Sequence, residues 1–133
     1  MIKRTLVCLA VFGVMASGTL LAHHSLAGVY DMKKEAEVSG TLTSLKLVNP
    51  HGSLTLAAKK ADGSTIDFVF LTGSATTLAQ RGISKLGPNA LKSGDVLTAK
   101  YIPAKDGSPL GFLRSITTAD GRVLSISAGN PND

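Results

Sequence analysis

With 133 residues, 44% of them hydrophobic and 17% charged, the chain has room for one modest domain and enough apolar side chains to bury a core. Its formal net charge of +5 comes from 14 basic and 9 acidic side chains that are scattered, apart from the pairs Lys33-Lys34 and Lys59-Lys60; that pattern suits solvated faces and argues against a nucleic-acid groove. The single cysteine, Cys8, falls in the expected leader, so a mature chain would lack disulfides, a thiolate nucleophile, iron–sulfur clusters and cysteine-ligated copper.

Lys3 and Arg4 give a positive start, Thr5 to Val14 is uncharged and mostly apolar, and Ala16, Ser17, Gly18 and Thr19 then break the apolar stretch before Leu20-Leu21-Ala22. This tripartite order predicts a cleavable signal over residues 1–22, cut after Ala22, and a periplasmic or secreted mature form. An uncleaved anchor is the rival, but Gly18 and its polar neighbours interrupt the roughly 20 apolar residues that a spanning helix needs. Cys8 follows Val7 inside the apolar run, which argues against a lipoprotein. The mature chain would keep 111 residues and, once Lys3 and Arg4 are gone, 12 basic against 9 acidic side chains. No stable membrane insertion is expected after cleavage.

Residues 23–37 show little periodicity and are expected to lie over the domain as an extended arm, with the β domain spanning 38–128 and a polar tail 129–133. From Val38 to Val48 a Thr/Val/Leu-rich run alternates imperfectly, as a strand can. Asn49-Pro50-His51-Gly52 is a turn by composition, Leu54 and Leu56 resume alternation, Ala61-Asp62-Gly63-Ser64 signals a hairpin, and Ile66, Phe68 and Phe70 share one face of the next strand. Ser74 to Arg81 reads as a short helix capped by Ser74 and ended by Gly82, with one more turn expected near Pro88 to Leu91. Strands follow over Val96 to Ile102, Leu110 to Thr118 and Val123 to Ile126, separated by turns at Lys105-Asp106-Gly107-Ser108 and Ala119-Asp120-Gly121-Arg122. Three strands, a short helix and two or three more strands is the order of a small Greek-key barrel of the oligonucleotide/oligosaccharide-binding (OB) type; an open antiparallel β-sandwich is the alternative.

The three histidines occupy two places: His23-His24 at the expected mature start and His51 in the first inter-strand turn. After cleavage His23 would carry a free α-amino group, so its amine and imidazole can chelate one ion, with His51 or His24 completing a mainly nitrogen site. Such donors suit Cu(II), Ni(II) or Zn(II), with Cu(II) first by affinity, and an amine pKa of about 8 lets a metal displace the proton near neutrality. The plainer reading makes His23 and His24 a frayed terminus and His51 a polar turn residue. Met32 is the only mature methionine, which disfavours Cu(I) shuttling.

Ala22-His23-His24-Ser25 followed by Tyr30-Asp31, the turn Val48-Asn49-Pro50-His51, Lys92-Ser93-Gly94-Asp95-Val96, Ala104-Lys105-Asp106-Gly107-Ser108 and Ala119-Asp120-Gly121-Arg122 resemble a family of small exported bacterial proteins known as a domain of unknown function. The resemblance implies a periplasmic protein and transfers no activity. Where such proteins tend to carry an aromatic residue after the Asn-Pro-His turn and a Trp and a Glu in the third strand, this chain has Leu54, Phe68 and Leu71. A site that used that acid would be changed here.

No serine sits in a nucleophile-elbow pattern and no phosphate loop occurs, so no enzyme is expected. Asp31, Glu35 and Glu37 read as exposed charge ahead of an acidic pair or extra ligands. The second function class is a non-metal module binding an envelope protein, peptide or glycan across the sheet. Its aromatic supply, Tyr30, Phe68, Phe70, Tyr101 and Phe112, is thin for stacking sugars or bases.

Overall fold

A computed structural model describes residues 26–126; the expected leader, His23, His24 and the polar tail lie outside them. Among the described residues the order is α1 (Leu26–Val29), β1 (Ala36–Lys46), β2 (Ser53–Lys59), β3 (Thr65–Leu71), α2 (Ala75–Gln80), β4 (Val96–Pro103), β5 (Leu110–Thr118) and β6 (Val123–Ser125). Hydrogen-bonded neighbours run β3-β2-β1-β4-β5-β6, and β3 also pairs with β5 in parallel, Val69 to Leu110 and Leu71 to Phe112. That extra pairing closes five strands into a barrel, with β6 added to the far half of β5. The chain is therefore a small OB-like barrel and not an open sandwich, and closure removes most of the sheet edge that a domain of this size must protect.

The imperfect alternation of the first strand has a physical cause. Leu42 pairs with Leu56 and Ser44 with Thr55, so Thr43 is an extra residue, a β-bulge that moves the inward set from Ala36, Val38 and Leu42 to Leu45 and Leu47. Both Leu42 and Leu45 are thereby buried. A second shift lies between β4 and β5, where Lys100 faces Ser115 but Tyr101 faces Leu113, leaving Arg114 as the extra residue.

Leu54, Leu56 and Ala58 of β2 and Phe70 of β3 fill the barrel from one side, and Leu97, Ala99, Leu113 and Ile116 from the other. Phe70 meets Tyr101 edge-on with ring centroids 5.0 Å apart. Helix α2 closes one end: the Ser74 hydroxyl accepts from the Thr77 amide at 3.1 Å as its N-cap, and Leu78 is fully buried in the core. The turns form as their composition predicts, with the Asp62 and Asp106 carboxylates accepting from the Ser64 and Ser108 amides at 2.8 and 2.9 Å.

The N-terminal segment differs from an uninterrupted extended arm. It opens with one helical turn, α1, and then runs beside the end of β4, where Tyr30 bridges Ala104 before β1 begins at Ala36. Its grip comes from Tyr30, which packs with Ile102 and Phe112 in a second apolar cluster on the outside of the barrel, joined by Leu26, Met32 and Leu71.

Candidate functional site

His51 follows from the turn that holds it. After β1 the chain crosses a cis Asn49-Pro50 bond, and the Val48 carbonyl accepts from the Ala75 amide at 3.1 Å, which ties the turn to the start of α2. The Gly52 amide donates to the Gly73 carbonyl and the Thr72 amide to the Gly52 carbonyl, each at 3.1 Å, extending the β2–β3 ladder to the residue after His51. Gly52 is required there, since a Cβ would run into the Lys46 carbonyl and lie 2.8 Å from Thr72 Oγ1. Turn and ladder thus fix the backbone on both sides of His51 while its side chain is exposed, and it makes no hydrogen bond or ion pair with the described residues.

The arm is held by a different set of contacts. The Asp31 amide donates to the Pro103 carbonyl and the Lys105 amide to the Val29 carbonyl, each at 2.9 Å, and the Lys105 ammonium donates to the Ala27 carbonyl. Tyr30 is 8% exposed, its ring centroid 6.1 Å from that of Phe112, and burial pushes its phenol above the usual value. These contacts place Leu26 on the outside of the seam where β3 and β5 meet. Leu71 of that cluster pairs in register with Ser53, two residues past His51. The arm and the histidine turn therefore flank the same strand end.

Two acidic residues of the arm, Asp31 and Glu35, are engaged in ion pairs. Lys34 Nζ lies 3.1 Å from Asp31 and its hydrogen bond holds that carboxyl below the usual range; Lys100 Nζ, 2.9 Å from Glu35, does the same there. Among the described residues no group of three or more His, Cys, Asp or Glu side chains is placed to hold a metal ion. Of the three candidate ligands, only His51 can be placed; whether His23 and His24 come to it lies outside the described residues.

Leu54, Phe68 and Leu71, singled out in the sequence, occupy different places. Leu54 is in the barrel core, Phe68 faces inward beside Phe70 and Tyr101, and Leu71 faces outward in the arm's cluster. Sequence reasoning placed Gly52 in the turn but missed the close approach to the Lys46 carbonyl that requires a glycine, and it gave Tyr30 and Lys105 no part in holding the arm. Lys105 was legible only as a turn residue, because its contact with Ala27 spans 78 positions.

No curated protein and no solved structure matches the chain. Residues 11–114 match the model of a family of unknown function, DUF6152, and the chain belongs to that family.

Proposed function

We propose that the protein is an exported periplasmic binding protein that takes one divalent transition metal, Cu(II) or Zn(II), through His23, His24 and His51. One observation carries this reading: the arm is tied back so that Leu26 lies on the β3–β5 seam, one strand away from the turn that presents His51. Strand spacing puts Phe112 on the order of 10 Å from Ser53, with Leu71 between them. Chain geometry lets His23 range up to about 10 Å from Leu26. Two imidazoles and a terminal amine are thus within reach of the His51 ring. The outward neighbour of the turn is Leu71, which offers no carboxylate, so the donor set is mainly nitrogen and favours Cu(II) over hard cations.

The competing class, a sheet-surface module for an envelope protein, peptide or glycan, needs an exposed platform. All five aromatic residues of the described chain point into the barrel or into the arm's cluster, and none is among the exposed large apolar side chains. That observation favours the metal reading over glycan stacking.

The test is native mass spectrometry of untagged protein recovered from the periplasm. A chain beginning at His23 with one stoichiometric Cu or Zn, lost on His51→Ala or when residues precede His23, is the expected result. A chain of that mass that stays metal-free with Cu(II) supplied overturns the proposal.

A further inference from the structure

Residues 23–133 contain one sulfur atom, that of Met32; Met1, Cys8 and Met15 all fall in the expected leader. Met32 stands where the arm becomes the barrel. The Lys34 amide donates to the Asp31 carbonyl at 2.9 Å, so Asp31 to Lys34 is a tight turn with Met32 as its second residue. The Lys33 amide and the Lys34 ammonium both reach back to the Asp31 carboxylate, at 3.4 and 3.1 Å. Immediately before the turn, Tyr30 bridges Ala104 and the Asp31 amide is tied to Pro103; shortly after it, β1 begins at Ala36.

The half-buried Met32 side chain packs on the outer cluster of Tyr30, Ile102 and Phe112, beside Leu26 and Leu71. A thioether suits that place, since it packs as an apolar group and gains from contact with aromatic rings. It is also the one member of the cluster that an oxygen-transferring oxidant, hydrogen peroxide or hypochlorous acid, converts from apolar to polar. A sulfur lone pair attacks the oxidant's oxygen, and the S–O bond forms as the O–O or O–Cl bond breaks. Sulfur gives up two electrons; peroxide leaves as water after its proton moves to the departing oxygen, and hypochlorous acid leaves as chloride with its proton released to solvent. Apart from the Tyr30 phenol, the cluster has no side-chain donor for the added oxygen, so a sulfoxide kept in place would be an unsatisfied polar group.

We infer that Met32 is a modification site for such oxidants and the redox-sensitive latch of the arm. Its sulfoxide leaves the cluster for water, and because Met32 belongs to the turn at the arm's base, the turn and the arm's hold on the end of β4 loosen with it. The barrel is spared, because its own core contains no sulfur. The inference does not depend on metal binding.

The test is hydrogen peroxide treatment of the untagged exported protein with a chelator present, followed by peptide mapping and amide hydrogen exchange. Peptide mapping should place one added oxygen on Met32. The Asp31, Lys34 and Lys105 amides should then exchange roughly ten-fold faster, with Leu56 unchanged. Methionine sulfoxide reductases for both epimers should restore the slow exchange. Met32→Gln should show the faster exchange without oxidant, whereas Met32→Leu should keep its protection and not respond to peroxide. Full conversion of Met32 with unchanged protection at Asp31 and Lys105 overturns the inference. So does equal loosening at Leu56, the same response to peroxide in Met32→Leu, or a Met32 that stays unoxidised under conditions that convert free methionine.

Discussion

Tyr30→Ala separates the arm from the barrel energetically. The ring is 8% exposed and packs only with the outer cluster of Ile102, Phe112, Leu26, Met32 and Leu71, while the barrel has its own core around Phe70 and Leu56. Losing a buried ring of this size costs about 3 kcal/mol. The remaining grip is two backbone hydrogen bonds, at roughly 1 kcal/mol net each, and the Lys105 contact. The ring thus supplies the larger share of the docking, and its loss should undock the arm and leave the barrel folded. In hydrogen exchange the Asp31 and Lys105 amides should lose about 100-fold of their protection, and Leu56 should keep its own. Tyr30→Phe should change neither, because the phenol oxygen makes no hydrogen bond with the described residues. If Asp31 and Lys105 stay protected in Tyr30→Ala, or Leu56 loses protection equally, the arm is not a separable element and the reasoning fails.

Gly52→Ala should cost about 2–4 kcal/mol in urea unfolding, because the Cβ drives the turn off the Lys46 carbonyl and breaks the two hydrogen bonds to Thr72 and Gly73; a loss under about 0.5 kcal/mol would mean the turn is loosely held. Asp62, Asp106 and Asp120 are held below their ordinary value by bonds from Ser64, Ser108 and Thr118. A depressed carboxyl adds stability above its unfolded pKa of 3.8 and loses it as pH falls through the folded value, so thermal midpoints should drop below about pH 4. Asp→Asn at all three turns keeps the acceptor and should flatten that drop; an unchanged slope would assign the acid loss elsewhere. Leu71→Glu should tighten Zn(II) or Cu(II) at least ten-fold in competition with a chelator, while Leu71→Gln should lose the same apolar packing with no such gain; equal affinities in the two variants would place the metal away from β3.

The barrel was legible because its signals are local. Alternation marks β2 and β3, Asp-Gly pairs mark three turns, and Ser74 marks the start of α2. What was not legible depends on partners far away in the chain. The bulge at Thr43 left only an imperfect alternation, since nothing local says which residue a ladder will skip. The helical turn of α1 has four residues, too few for a period, and exists because Tyr30 and Lys105 hold it against the end of β4. His51 was legible as an exposed turn residue, but its closeness to the arm arises from barrel closure, which brings Leu71 between Ser53 and Phe112.

Barrel closure also bears on how a metal would act on the fold. The arm hangs on an outer cluster and two backbone bonds, whereas the His51 turn is built into the β2–β3 ladder. An ion shared between the terminal histidines and His51 would bind the docked arm and not the undocked one. Linkage then makes metal affinity and arm docking one quantity: the ion stabilises docking by RT ln(1 + [M]/Kd), and whatever loosens the arm weakens the ion by the fraction of time the arm is away. Tyr30 and Lys105, which are not among the proposed ligands, would therefore tune affinity as strongly as the cluster tunes docking, while changes in the barrel core around Leu56 would shift stability and leave affinity unchanged until the fold itself is lost.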